Sequence, residues 1–372
     1  MTTEGAIPEP AAPPAPVPPP ARGRRRVVVL VLAALAVAAV LVVAGVLIVQ
    51  AIDRAGALEE HAEAVERTEE TIASAQPVLD EAALVVKLGD DPLVPDDAVA
   101  GLTDAWAQAE SAAADAADAV AAPTDPLETA EVRDLVARLD RSATRLTAAA
   151  DRVVAGLDAL LLATHAASAE ADAAWPEGEN EPRIAFRLAA ADLEPTHGAV
   201  PPGRRGEVLA TYLAAGAALA ASHDTELDEK RGPLFDARMA VQRFARRIAG
   251  GVMLEFDWKR LVSGYGENGS YGGTSYWVSD HGGYATITLS NSVAELWPAA
   301  GVKALVAHEV GHAILSRPDC YRLYFESDLY TGEEESWATA WAIGRGHDAD
   351  GSGESVYGRP SNALIALSKK CR

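Results

Sequence analysis

The uninterrupted apolar run from Val27 to Val49 is the feature that most constrains how this chain can fold. Its length suits a helix that crosses a bilayer. A cleaved signal peptide has a shorter apolar core of about 7–15 residues, so a retained signal anchor fits better. We therefore predict one transmembrane helix over residues 27–49. A buried core helix and a long cleaved signal sequence are the alternatives.

Charges on either side of this run indicate its orientation. Four arginines precede it, whereas Asp53, Glu59 and Glu60 follow it. The positive-inside bias then places the N-terminus in the cytoplasm and everything from about residue 51 outside. Residues 1–21 form a proline and alanine tract that cannot bury a core. With the arginine cluster, residues 1–26 are predicted to be a disordered cytoplasmic tail.

Net charge and cysteine content restrict the partners and the compartment. The formal charge is -22, which repels nucleic acid and anionic membrane surfaces, so neither is expected as a partner. The chain has two cysteines, Cys320 and Cys371, both in the outward part. An oxidising location favours a disulfide between them over two free thiols.

Residues 53–174 have a helical period and almost no glycine. Leucine, valine and isoleucine recur every seven residues along a first helix, although Pro77 should kink or break it; the positions are Leu58, Val65, Ile72 and Leu79. A second helix is predicted from Asp96 to Ala121. A third carries an apolar stripe of Leu135, Leu139, Leu146, Ala149, Val153, Leu157 and Leu160. Together they predict an antiparallel helical bundle.

The bundle contains no cluster of chemically reactive residues. We favour a stalk that holds the C-terminal domain off the membrane, and a sensor or docking site for a partner protein is the alternative. Residues 175–205 contain WPEGENEP and PTHGAVPPGRRG and are predicted to be a linker. The remainder, residues 206–372, is predicted to be a mixed α and β domain.

Within that domain, helices are predicted at 207–222 and 234–248 and a short strand at 252–256. A loop rich in glycine and tyrosine follows, and its aromatic residues form either a binding rim or a packed hairpin. YATITLS, residues 284–290, alternates apolar and polar residues as a half-buried strand does. Another helix is predicted after Trp297 and Pro298.

VKALVAHEVGHAILS, residues 302–316, carries the chemistry. On a helix, His308 and His312 lie one turn apart and can reach one metal ion, while Glu309 lies beside them and can deprotonate a metal-bound water. Gly311 removes bulk between the ligands, which makes sense if something packs closely there. A separate stripe of Val302, Val306, Val310 and Ala313 can be buried.

Catalytic zinc keeps three protein ligands and leaves a position for water, so a third ligand is required. The pattern HExxHxxGxxH is excluded, because its last two positions are Leu315 and Pro318. Downstream, GEEESWATAW offers Glu333, Glu334 and Glu335 at a helix start, where carboxylates also act as caps.

With YATITLS, HEVGH and this acidic helix, the region from Gly251 to Gly346 resembles the gluzincin metallopeptidases, especially members with a compact catalytic core. The resemblance implies Glu335 as third ligand, with Glu334 the next candidate and His347 a further one. The family often has an aspartate that orients a ligand histidine where this chain has Thr339.

The resemblance also implies the mechanism. Zn²⁺ on His308, His312 and Glu335 would activate a water, Glu309 would act as general base, and YATITLS would pair with an extended substrate as the cleft edge. An oxyanion helper is not singled out. The candidates are Tyr321, Tyr324, Tyr330, Tyr357, His281 and His347.

The predicted fold class is α+β: one transmembrane helix, an extracytoplasmic helical bundle and a C-terminal zincin-like domain. The predicted function is a zinc metallopeptidase that cleaves peptide or protein substrates outside the cytoplasmic membrane. The alternative is a catalytically silent zincin-like domain that acts as a binding or scaffold protein of the cell envelope.

Overall fold

A computed structural model of the protein describes residues 22–194 and 200–371, with side chains from Leu30 onward. The proline and alanine tract at residues 1–21 lies outside the described residues. The main elements are α1 (Arg22–Leu88), α2 (Asp96–Val120), α3 (Thr129–Ala174), α4 (Asn180–Asp192), α5 (Arg205–Glu229), α6 (Phe235–Ile248), β1 (Met253–Lys259), β2 (Gly273–Val278), β3 (Tyr284–Ser290), α7 (Asn291–Glu295), α8 (Ala300–Ala313), α9 (Pro318–Phe325), α10 (Glu335–Gly344), α11 (Glu354–Tyr357) and α12 (Asn362–Ser368).

Helix α1 contains the apolar run. It is long and apolar enough to cross a membrane, and none of its most apolar window, with a mean hydropathy of 3.1, is buried in the protein. The helix begins at Arg22, so residues 22–26 are helical and not part of a disordered tail as predicted. Of the kink or break predicted at Pro77, the break is wrong, because the helix continues to Leu88. Burial of Ala75 and Leu79 on either side offsets the lost backbone hydrogen bond.

The chain forms two compact units. One comprises, of the described residues, those from Arg22 to Glu70 together with Asp115–Thr144. Its small core joins three helices through Ala64, Ala119 and Leu139. On its surface, Arg67 pairs with Asp140 at 3.2 Å.

The second unit comprises Thr71–Ala114 and Arg145–Arg372. Its helical core contains the C-terminal part of the stripe predicted for α3, namely Ala149, Val153, Leu157 and Leu160. Along α1 the predicted stripe is only partly right. Leu79 is buried but Leu58 is 38% exposed. Alanines such as Ala57, Ala64, Ala75 and Ala82 are buried instead.

Helices α4 and α5 correct the predicted linker at 175–205. Helix α4 occupies residues 180–192 of it, and residues 195–199 lie outside the described residues. Phe186 of α4 packs between the rings of Trp175 and Tyr212, with centroids 6.1 and 5.1 Å away. Leu209 and Tyr212 of α5 lie in the same core as the bundle helices, so this core extends past the predicted boundary at residue 206. Asn180 at the start of α4 donates its side-chain amide to the Ala285 carbonyl in the sheet at 3.1 Å.

The three-stranded sheet has the order β1-β3-β2. Strand β3 runs parallel to β1 and antiparallel to β2, and its Ala285, Ile287 and Leu289 are buried as the alternation predicted. Because β3 is paired on both sides, it cannot be the cleft edge; that prediction is wrong. The edge next to α8 is β2, which lies inside the predicted glycine and tyrosine loop.

A third apolar core, in the same unit as the helical core, lies between the sheet and helices α6, α8, α10 and α12. Trp337 and Trp341 of α10 are fully buried there. Cys320 and Cys371 form the predicted disulfide, with Cα atoms 5.7 Å apart. Trp341 donates its Nε1–H to the Cys371 carbonyl at 3.0 Å. The disulfide and this bond hold the C-terminus beside α9 and α10.

Candidate metal centre

Helix α8 presents the two histidines on one side and packs its other side into the core. Val302, Val306 and Val310 are at most 1% exposed. The rings of His308 and His312 are themselves buried, and their centroids lie 5.0 Å apart. The motif therefore lies on a helix with the geometry that its spacing predicted.

Gly311, between the histidines, is where α10 crosses α8. A Cβ atom at this position would lie 2.9 Å from both Cα and O of Ala338, so only glycine permits the contact. Trp337 donates its Nε1–H to the Gly311 carbonyl at 3.0 Å. The crossing brings the first residue of α10, Glu335, to the histidines.

Glu335 meets both histidines with one oxygen. Its Oε2 lies 3.0 Å from Nε2 of His308 and 3.2 Å from Nε2 of His312. The ligand atoms of the three residues all lie within 4.8 Å of one another. Two imidazole nitrogens and one carboxylate form a set of donors that could bind a metal ion.

The orientation of His308 supports this fit. Its Nδ1 lies 2.9 Å from the Ser352 carbonyl, which can only accept, so Nδ1 carries the proton and Nε2 keeps its lone pair for a metal. Thr339 Oγ1 lies 3.5 Å from the same nitrogen. The Ser352 carbonyl thus orients His308, a role that the resemblance assigns to an aspartate at the position of Thr339.

Glu334 lies in an outer layer around His312. Its Oε2 is 3.9 Å from His312 Nδ1 and accepts the indole N–H of Trp277 at 3.0 Å. Burial lowers the pKa of His312, but the carboxylates of Glu334 and Glu335 outweigh burial and raise this pKa to about 9. Burial would raise the pKa of Glu335, yet the two histidines hold it well below its ordinary range.

Glu309 stands apart from His308, His312 and Glu335, the candidate metal-binding group. Its side chain is buried, which raises the pKa of the carboxyl against the opposing effect of the two histidines. It lies directly under strand β2: a Cβ atom on Gly273 would come within 2.7 Å of Glu309 Oε1. A carboxylate with a raised pKa, next to the candidate metal group, is suited to accept a proton.

The inner face of β2 runs across the centre. Alternate residues of a strand share a face, and Gly273 touches Glu309 while Trp277 bonds Glu334. Ser275 lies between them on this face. Its Oγ is buried, and no described residue offers it a hydrogen-bond partner.

Of the predicted oxyanion candidates, Tyr357 lies at the centre. Its ring is stacked on His308 at 5.9 Å, and burial together with the charges of Glu335 and Glu309 raises the pKa of its hydroxyl. The other candidates have different surroundings. Tyr324 donates its hydroxyl to the Glu333 carbonyl, Tyr321 packs against Trp277, and Tyr330 packs against Tyr324. His281 pairs with Asp280. His347 packs edge-on against Phe244 and is outside the candidate metal-binding group.

Sequence reasoning missed Ser352, Gly353 and Trp277. Gly353 has a φ of +95°, and a Cβ there would lie 2.7 Å from the His308 ring. The glycines of the DADGSGES stretch mark a tight turn, but nothing local indicates that the turn reaches α8.

Comparisons with known proteins found no match: no family model, no curated protein and no solved structure resembles the chain at a significant level. The case for function therefore rests on the geometry of the centre.

Proposed function

We propose that the protein is a zinc metallopeptidase of the gluzincin type that hydrolyses peptide bonds. One observation carries the proposal: His308, His312 and Glu335 converge within 4.8 Å, while Glu309, one residue from His308, is buried beside them and outside the group. Catalytic zinc has three protein ligands and an open position for water, and in HExxH helices the glutamate beside the first histidine acts as general base.

In this proposal His308, His312 and Glu335 hold the ion. Zinc bound there would polarise a water and the substrate carbonyl and lower the pKa of that water toward about 7. Glu309 would accept a proton from the attacking water and deliver it to the leaving amine. Its raised pKa favours the first of these steps, the acceptance of the proton.

Strand β2 is the proposed substrate edge. It pairs with β3 on one side, and no other described strand pairs with its outer side. An extended peptide can add to such an edge through main-chain hydrogen bonds. Tyr357 is the proposed oxyanion donor, because its hydroxyl lies near Glu335 and Glu309 and its ring is partly exposed.

We further propose that the apolar part of α1 spans a membrane and that the centre faces the extracytoplasmic side. The arginines before the apolar run and the acidic residues after it support this orientation. The disulfide between Cys320 and Cys371 supports an oxidising compartment.

A catalytically silent scaffold is less well supported. Thr339 in place of an aspartate was the reason to consider it. The Ser352 carbonyl, 2.9 Å from His308 Nδ1, supplies an orienting acceptor by another route.

The proposal is tested with the full-length protein in detergent, assayed against a broad peptide library. We expect cleavage by the wild type, and a loss of at least about 100-fold in Glu309→Gln with zinc content unchanged. Glu333→Gln is the matched control, because Glu333 is an exposed neighbour of Glu335 outside the metal-binding group.

Two results would count against the enzyme. Cleavage by Glu309→Gln at the wild-type rate would remove Glu309 from the mechanism. A wild type that binds zinc but cleaves no peptide of the library would favour the scaffold.

A further inference from the structure

The loop after α10 reaches back to the metal centre. It runs from Arg345 to Gly353, and the carbonyl of Ser352, near its end, accepts from His308. Ser352 is 1% exposed, and its own N–H donates to the Ala349 carbonyl at 2.9 Å. The acceptor that fixes the tautomer of His308 therefore belongs to a loop, and a loop needs contacts that hold it in place.

Two contacts hold the loop against α8 and the segment that precedes β2. Tyr271 donates its hydroxyl to the Asp350 carbonyl at 3.1 Å. Gly301, at the start of α8, lets the loop approach, since a Cβ there would lie 2.5 Å from the Asp350 oxygen. These contacts fix the middle of the loop but not its two ends.

Arg359 holds both ends together. Its guanidinium donates to the two carboxylate oxygens of Asp348 at 3.1 and 2.9 Å, a bidentate pair. The same group donates to Glu354 Oε2 at 2.5 Å. Asp348 precedes Ser352 and Glu354 follows it, so one arginine closes the turn that presents the Ser352 carbonyl.

We propose that Arg359 is a positioning residue for the metal centre, acting through the Asp348–Glu354 loop on His308. It touches neither the metal-binding group nor a substrate. By holding the loop closed, it keeps the Ser352 carbonyl in line with Nδ1 of His308, which keeps Nε2 directed at the metal. This inference rests on the proposed function.

Stabilisation of the fold is a poorer explanation for this contact. Arg359 and Asp348 side chains are each 46% exposed, and Glu354 is 38% exposed. Ion pairs in such positions contribute little to folding because water and salt screen them. Their geometry can still select one conformation of a glycine-rich turn.

The loop sequence also explains why an arginine closes it. Asp348, Asp350, Ser352 and Gly353 have the spacing of the first half of a calcium loop, with serine at the fifth position. The twelfth position, where such loops carry a bidentate glutamate, is Arg359. Arg359 therefore places a positive charge beside Asp348 and Glu354 of this loop.

The test measures the zinc affinity of the full-length protein by competition with a chromophoric chelator. We expect Arg359→Ala to weaken zinc binding about tenfold, the loss typical of residues that orient a metal ligand. Arg359→Lys should recover part of the loss, since it keeps the charge but not the bidentate fork. Asp348→Asn should weaken binding as well.

Arg231→Ala is the matched control, because Arg231 is an exposed arginine paired with Asp228 at 2.9 Å and is outside the loop. The melting temperature of each metal-free variant is measured alongside, and we expect no change for Arg359→Ala. A merely structural arginine would lower the melting temperature without this selective effect on zinc.

Three results would overturn the inference. Zinc affinity of Arg359→Ala and Asp348→Asn within about twofold of the wild type would exclude Arg359 as a positioning residue and leave the proposed function intact. Zinc binding by the wild type that strengthens in about 1 mM calcium would show that an ion closes the loop. A wild type that binds no zinc would overturn both the inference and the proposed function.

Discussion

The helical core around Leu157 and the centre around His308 lie in the same compact unit but are built from different contacts. Around Leu157, apolar side chains of α1, α2, α3, α4 and α5 fill the interior. Around His308, polar side chains contact a carbonyl, a carboxylate or an indole N–H. Packing in the first region tolerates exchange of one apolar residue for another, whereas the second depends on single atoms.

This difference predicts which property, folding stability or metal affinity, a substitution in each region should change. Loss of apolar volume should cost free energy of unfolding and leave the metal affinity of the folded protein alone. A small displacement at the centre should weaken metal binding and leave the free energy of unfolding of the metal-free protein unchanged. Four substitutions test this separation, in order of decreasing expected effect.

Leu157→Ala should have the largest effect. Leu157 is fully buried in the helical core, so its truncation should lower the free energy of unfolding by about 2–5 kcal/mol. Chemical denaturation of the metal-free protein measures this loss. Zinc affinity under native conditions should match the wild type, and Leu162→Ala, at a residue 51% exposed, is the control. A loss of zinc affinity in Leu157→Ala would show that the two regions are coupled.

Gly273→Ala should lower peptide cleavage by about 100-fold, because the new Cβ would displace the Glu309 carboxylate that it meets at 2.7 Å. Zinc content should not change, since Glu309 is outside the metal-binding group. Cleavage rates and metal analysis on one sample separate the two. Thr274→Ala, at the exposed neighbour on β2, is the control; wild-type cleavage by Gly273→Ala would contradict the role of this close contact.

Gly311→Ala should weaken zinc binding between about 10- and 100-fold. The added Cβ must push α10, and Glu335 with it, away from α8 at Ala338. The control is Gly101→Ala, where a helical glycine faces open space and alanine should stabilise the helix by up to about 1 kcal/mol. If both variants bind zinc like the wild type, the crossing at Gly311 does not set the position of Glu335.

Glu334→Gln should weaken zinc binding about tenfold, because the charge 3.9 Å from His312 Nδ1 is lost. Glu333→Gln should not weaken it. Loss of all bound zinc in Glu334→Gln, with Glu335→Gln unaffected, would instead make Glu334 the ligand.

The elements with a strong local pattern were predictable from the sequence. The stripe of α3 and the alternation of β3 each depend on residues close together in the chain. The position of Glu335 beside the histidines was implied by the resemblance to the gluzincin metallopeptidases, which have a ligand glutamate on the helix after the HExxH helix. The buried face of α1 could not be recognised from the sequence because it consists largely of alanine, which is neither strongly apolar nor polar in a periodicity count.

What the sequence did not reveal depends on distant contacts. Ser352 reaches His308 across 44 residues, and the φ of +95° at Gly353 that allows this contact has no local signature beyond glycine itself. The position of β3 between two partners follows from the pairing of β2. Helix α4 was missed because turn residues at both ends of 175–205 concealed its short apolar face.

Metal content of the purified full-length protein tests the central claim most directly. After chelation and addition of zinc, the wild type and Glu309→Gln should each retain about one zinc per chain, and Glu335→Ala should retain none. Absence of bound zinc in the wild type, or equal binding in Glu335→Ala, would contradict a metal site made of His308, His312 and Glu335.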